Sequence, residues 1–443
     1  MLLIGNGTVI TQDESNPFIE NGCVAVDGNI IVEVGKYSKL KEKYKDAEFI
    51  DAKNNIIMPG NINSHMHIYS AYARGMVLGG EPAKNFLEIL DKLWWNIDKK
   101  LTLEQVKYSA LVTYIECIKN GTTTIFDHHA SEGAVSGSLF GIEEAAKSLN
   151  VRSCLCYEVS DRDGKQIMEK GIKENVDFIS HCNNNNNNDM IKGMFGLHAS
   201  FTLSDSTLYK CRDSIQGLNT GFHIHTAEGI EDEYDCVNKY NKRVVERLKD
   251  FDILGNKTIA VHCTHVNEDE MDILKDTRTI VVHNPESNMG NAVGCAPTME
   301  MMKKGIVMGL GTDGYTTDMY ESMKVANIIH KHNLKDPRVG FLETYKMMYE
   351  NNKKIAAEYF DKPLGILKKG SYADIIIIEY NPITPINKDN YFAHILFGIT
   401  GKSVNTTIIN GKILMKNREI QGIDEKEIYE KSRQAASNLW KII

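Results

Sequence analysis

Between residues 56 and 313, eight short apolar runs recur with helix-length polar and amphipathic segments between them. They are IIMPGNIN, TTTIFD, VRSCLCYEV, KGMFGLHA, GFHIHTAE, TIAVHC, TIVVHN and GIVMGLGTD. Strands that alternate with helices build parallel sheets, and eight such units point to a closed (β/α)8 TIM-like barrel. The first intervening segment illustrates the helical signal. Thr102 and Gln105 make a capping-box pattern, apolar residues recur at Leu111, Val112, Ile115 and Ile118, and Gly121 stops the run. A doubly wound open sheet stays open as an alternative, although no G-x-G-x-x-G turn follows the first strand.

The two ends of the chain have a different texture. In the first 57 residues, Asp27-Gly28 sits between two β-branched stretches and predicts a tight hairpin. Residues 366–420 repeat the pattern, with ADIIIIEY as a strand and a second hairpin turning at Asn410-Gly411. The expected division is therefore an α/β barrel over 58–365 and a small composite β-sandwich domain formed from both termini, 1–57 and 366–420. A final helix within 421–443, carrying Ile428, Ala435, Leu439 and Trp440, packs on the barrel or on a second subunit. The asparagine run at 183–188 reads as an exposed connector.

Composition excludes several functions. A net charge of −8 without a Lys/Arg block argues against nucleic acid as a partner. No segment approaches the ~18 uninterrupted apolar residues of a membrane span, and the N-terminal MLLIGNGTVI reads as a strand rather than a signal peptide. Nine scattered cysteines read as reduced thiols, which places the expected protein in the cytoplasm.

Polar residues gather where barrel strands end, the position at which such barrels carry active sites. His65 and His67 close the first strand, Asp127, His128 and His129 the second, and His198 the fourth. His225 and Glu228 close the fifth, His262 the sixth, His283 the seventh and Asp313 the eighth. Side chains at i and i+2 of a strand share a face, so His65 and His67 converge. Three imidazoles and a carboxylate (His65, His67, His225 and Asp313) suit a catalytic divalent metal that lowers the pKa of water to roughly 7. Glu228, three residues after His225, is placed for general acid/base work. His262 can polarise the substrate or orient water. His223 competes with His225 for the metal and His265 with His262. His283 is expected to brace the seventh-strand loop, and Asp127 to satisfy backbone donors. His128 or His129 faces the substrate or packs at the rim. Arg74 reaches the substrate or forms a surface ion pair. Trp94 and Trp95 are core or lid residues.

The motifs GNINSHMH, HIHTAE, AVHCTH, VVHNPESN and GLGTDG, in this order, resemble the amidohydrolase superfamily. More narrowly they resemble its cytosine and guanine deaminase and triazine hydrolase branch, with aminohydrolases of the SsnA type nearest. The resemblance implies one zinc or iron ion on His65, His67, His225 and Asp313, with Glu228, His262 and Asp313 handling protons. It also implies a substrate contact at His198 and a homodimer. The activity implied is hydrolytic deamination of a purine, pyrimidine or triazine by metal-activated hydroxide, with Glu228 as proton shuttle. Ring opening of a cyclic amide is the rival reaction, and a catalytically inactive scaffold is the rival from outside enzymology. Binuclear members carry a modified lysine at the end of the fourth strand, where this chain has GMFGLHAS, so one metal is expected. The unrelated zinc deaminases built on P-C-x-x-C are excluded because that motif is absent.

Overall fold

A computed structural model describes residues 1–184 and 189–443. The expectation for the asparagine run therefore falls largely outside the described residues. Eight parallel strands follow one another in chain order: Asn61–Met66, Thr122–His129, Arg152–Tyr157, Phe195–Ala199, Phe222–Thr226, Ile259–His262, Ile280–His283 and Met308–Leu310. A short piece, Ile191–Gly193, pairs with the third strand just before the fourth begins. The strands form a four-stranded and a five-stranded parallel sheet. Isolated parallel bridges join these two sheets at both seams, Val159 to Leu197 and Met66 to Asp313. The result is the (β/α)8 TIM-like barrel expected from the alternating pattern.

The seam between the first and last strands positions the site. Thr312 and Asp313 both donate their backbone N–H to the His65 carbonyl, at 3.0 and 3.1 Å. Gly311 makes this approach possible, because a Cβ there would stand 2.4 Å from Asn284 Oδ1 and 2.7 Å from the His65 oxygen. Beneath it, buried Asn352 staples the same two strands. Its amide donates to the Ile62 and Leu310 carbonyls, at 2.7 and 2.9 Å, and its oxygen accepts from Leu310 N–H.

The helix predicted after the first strand spans Leu103–Lys119, opened by the Thr102–Gln105 capping box. Gly121 ends it in the left-handed region at φ 75°. The last helix, Glu425–Trp440, lies against this one. Gln105 donates to the Ala435 carbonyl and the Trp440 indole to that of Tyr72.

Both chain ends contribute to one nine-stranded sheet with a core of its own, which includes Ile4, Val24, Ile57, Ile375 and Ile408. The run IIMPGNIN divides between the two units. Ile56–Pro59 pairs with Ile375–Ile378 in the terminal sheet, and Asn61–Met66 enters the barrel. Gly60 marks the crossing, where a Cβ would strike Thr123. The first hairpin turns at Gly28-Asn29, one residue later than expected, because Asp27 still pairs with Ile30. The second turns at Asn410-Gly411, both in the left-handed region that a tight hairpin needs. No helix among the described residues is long and apolar enough to cross a membrane.

Replacing Asn352 with alanine leaves the Ile62 and Leu310 groups of the seam unsatisfied. Each unpaired buried group costs about 1–3 kcal/mol. A drop in unfolding free energy of that order is expected in a urea titration, and an unchanged midpoint would remove Asn352 as the staple.

Candidate active site

The strand ends bring His65, His67, His225 and Asp313 together at the barrel mouth, all four buried. His67 Nε2 lies 3.1 Å from Asp313 Oδ1, and His65 Nε2 lies 3.6 Å from the same oxygen. His225 Nε2 stands 3.2 Å from His67 Nε2. Backbone carbonyls fix the tautomers of the last two rings. His67 Nδ1 bonds to the His128 carbonyl at 2.6 Å and His225 Nδ1 to the His198 carbonyl at 3.0 Å. A carbonyl only accepts, so each Nδ1 carries a proton and each Nε2 faces the cluster. His65 uses Nδ1 on His223 Nε2 at 2.9 Å, and its Nε2 has no hydrogen-bond partner.

Three imidazole nitrogens and a carboxylate oxygen thus face one another at one buried point. That arrangement suits a cation, and the mixed N/O donor set fits a divalent metal. The electrostatics say the same. Burial alone would lower His67, but its hydrogen bond to Asp313 and the charges of Asp313 and Glu158 push it up to about 9. His225 is held well below the usual range, by burial first and by its imidazole neighbours second. Burial would raise Asp313, yet the imidazoles of His65 and His67 beside it hold it well below ordinary carboxylates. Asp313 and His262 both sit in the left-handed backbone region, at φ 54° and 70°. Such conformations cost energy in non-glycine residues and concentrate at functional sites.

Glu228 and His262 flank the cluster. His262 accepts from Asn288 at Nδ1, 2.9 Å away, which leaves its Nε2–H aimed between Glu228 Oε2 at 3.4 Å and Asp313 Oδ2 at 3.6 Å. Burial drives His262 down to about 3, so it stays neutral. Burial and the neighbouring Asp313 charge lift Glu228 well above the usual carboxylate range, although Asn291 donates to its Oε1.

His223 braces His65 through their ring nitrogens, and His225 faces the cluster. His265 turns away to the Val293 carbonyl. His283 is buried beside His330, and neither of its ring nitrogens has a hydrogen-bond partner, so it braces nothing by hydrogen bonding. Asp127 accepts from the Ile68 N–H, the backbone role expected of it. His129 bonds Ser131, and His128 is fully buried behind the cluster. His198 lines the cleft above the cluster, together with Trp94, Trp95, Phe86 and Phe201.

Of the two readings of Arg74, the structure shows the ion pair. Its guanidinium forms a two-pronged pair with Glu116, at 2.6 and 2.9 Å, in a groove that His67 and Asp313 also line. Glu116 projects from the Leu103–Lys119 helix. In the cleft wall, sequence reasoning missed Glu158, and behind it Arg162, Asp98 and Glu132. Arg162 Nη2 meets Asp98 at 3.0 Å and Glu132 at 2.7 Å, and its guanidinium covers the Trp95 ring. The one sequence signal was Glu158 itself, a charge closing the apolar run VRSCLCYEV. Lys192, the lysine nearest the fourth strand, lies at the opposite end and pairs with Asp189.

The amidohydrolase family profile matches residues 56–414. A 5-methylthioadenosine/S-adenosylhomocysteine deaminase of Thermoanaerobacter pseudethanolicus is 32% identical, over 99% of both chains. A 5′-deoxyadenosine deaminase of Methanosarcina mazei is 30% identical, over 99% of this chain and 98% of its own. An adenosine deaminase from Xanthomonas campestris, solved with zinc, superposes with a TM-score of 0.87 at 20% identity, covering 99% of this chain and 98% of its own.

Arg162→Met should destabilise the fold, because it strands the buried carboxylates of Asp98 and Glu132. Breaking a buried ion pair from one side typically costs about 3–5 kcal/mol. Calorimetric melting reads the effect, and a melting point equal to the parent's would contradict the assigned pairing.

Proposed function

Because the chain belongs to the amidohydrolase family, we propose that it is a metal-dependent hydrolase that releases ammonia from an amino-substituted purine-type heterocycle. The observation that carries this reading is the convergence of Glu228, His262 and Asp313 beside the ring nitrogens of His65, His67 and His225. The deaminase names of relatives at 30–32% identity over almost the whole chain support the purine class. A divalent ion held by His65, His67, His225 and Asp313, zinc as in the Xanthomonas neighbour or iron, would supply a nucleophilic water near neutral pH.

The chain's own groups then handle the protons. Asp313 Oδ2, on the His262 side, can take the proton that the attacking water loses. His262 Nε2–H points between the two carboxyl groups and can steady the developing charge on the attacked carbon's substituent. Glu228, kept protonated by burial and by Asp313, can give its proton to the ring nitrogen beside that carbon. It can then carry a proton to the departing amine. The aromatic wall of Trp94, Trp95 and Phe201 suits the face of a flat heterocycle and limits entry of bulk water.

This reading takes the chain as a cytoplasmic enzyme working as a homodimer. Nine cysteines without a disulfide support the reducing compartment, and the family resemblance supports the dimer. The direct test loads the purified protein with zinc or iron and follows ammonia release from amino-purines, amino-pyrimidines and cyclic ureides. Ammonia from an amino-purine is the expected result. Loss of a ureide without ammonia would overturn the reading in favour of ring opening.

Glu228→Gln should keep its metal and lose most turnover, about 10²–10⁴-fold, the usual contribution of a general acid/base. Metal content by plasma emission and ammonia release together decide it. Turnover at the parent rate would remove Glu228 from proton transfer.

A further inference from the structure

Glu228 follows the fifth barrel strand, Phe222–Thr226, and neighbouring loops fix the main chain beside it. Ala227, the residue before it, sits in the left-handed region at φ 46°. The Ala227 N–H donates to Asp232 Oδ2 at 3.0 Å, and its carbonyl accepts from the N–H groups of Thr264 and His265 at 3.1 and 3.0 Å. Asp232 Oδ1 in turn accepts from the Phe201 N–H at 3.0 Å. These bonds set where the Glu228 side chain starts, but they leave its own torsions free to choose among rotamers.

The carboxyl group is held from a different strand end. Among the described residues it makes one hydrogen bond, accepted by Oε1 from Asn291 Nδ2 at 3.2 Å. Oε2 is left facing His262 Nε2, 3.4 Å away. Asn291 closes the short helix Pro285–Gly290 that follows the seventh strand, and its own side chain is steadied there. Its backbone N–H donates to the Ser287 carbonyl at 2.8 Å, and Nδ2 also reaches Ser287 Oγ at 3.2 Å. The same helix carries Asn288, whose amide meets His262 Nδ1 at 2.9 Å. One helical turn therefore reaches both groups that flank the cluster.

We propose that Asn291 is a positioning residue for Glu228. By holding Oε1 it keeps Oε2 turned towards His262 and Asp313, where a proton can be passed to a substrate bound over the cluster. Released from Asn291, the carboxyl group can swing to another rotamer and out of the roughly 3 Å reach that proton transfer requires. The kinetic consequence rests on the deaminase reading above; the place of the carboxyl group rests on the geometry alone.

Asn291 has φ −80° and ψ −3°, open to any L residue, so Asn291→Leu removes the amide at similar volume. The test follows ammonia release from adenosine by the zinc-loaded parent, Asn291→Leu, Glu228→Gln and the double variant. Asn291→Leu should lower kcat about 10–100-fold, within the cost of misplacing a reacting group by about 1 Å, with KM near the parent value. In the Glu228→Gln background the same change should cost nothing further, because the group it positions is already disabled. Bound zinc should stay at the parent level in all four proteins. A crystal structure of zinc-loaded Asn291→Leu should show the Glu228 carboxyl group rotated away from His262 Nε2.

Parent kcat in Asn291→Leu, or a carboxyl group that stays in place in the variant, would overturn the proposal. So would losses that multiply in the double variant; carried by KM, they would make Asn291 a substrate contact in its own right. Absence of ammonia from every amino-purine would be failure of the deaminase reading, a separate result, and the crystal structure would still decide what holds Glu228.

Discussion

The structure depends on imidazoles and one carboxylate crowded at a single buried point. His67 and His225 each donate Nδ1–H to a backbone carbonyl, and their Nε2 atoms stand 3.2 Å apart. His65 Nδ1 lies 2.9 Å from His223 Nε2, and its Nε2 faces Asp313. In water such rings would simply rotate or protonate. Here backbone carbonyls hold the His67 and His225 rings, and burial opposes protonation of His65 and His225. The point therefore draws positive charge, and Asp313 supplies the negative oxygen beside it, which pushes His67 up to about 9.

That demand shapes the surrounding backbone. The carbonyls that fix the tautomers belong to residues 128 and 198, the ends of the second and fourth strands, so the orientation of one strand's histidine is set by its neighbour's main chain. The seam where Gly311 lets the eighth strand approach His65 delivers Asp313, and its left-handed conformation turns the carboxylate into the cluster. Asn352 secures this seam from below. The fold thus supplies rigid strands for the donors, and Trp94, Trp95, Glu158 and His198 line the cleft around them.

Much of this was legible in the chain. Alternating apolar runs give the barrel because strand and helix periodicities are local properties, and H-x-H at a strand end gives two of the donors because side chains alternate across a strand. The choice of His225 over His223 needed only the position of Glu228. What stayed hidden depends on residues that are distant in sequence. Arg74 was open to two readings because its partner Glu116 lies 42 residues away on a helix face. The Asp98, Glu132, Glu158 and Arg162 cluster comes from three separate segments, brought together only by the fold. The apolar run at 56–63 reads as one strand, yet it serves two sheets, because hydropathy records burial and not the identity of the partner strand.

The central claim is the metal centre, and X-ray absorption at the metal edge of the zinc-loaded protein addresses it directly. The account predicts one ion per chain, bound through three imidazole nitrogens and one carboxylate oxygen, without sulfur. Two ions per chain, a thiolate in the coordination shell, or a site that holds no metal would contradict it.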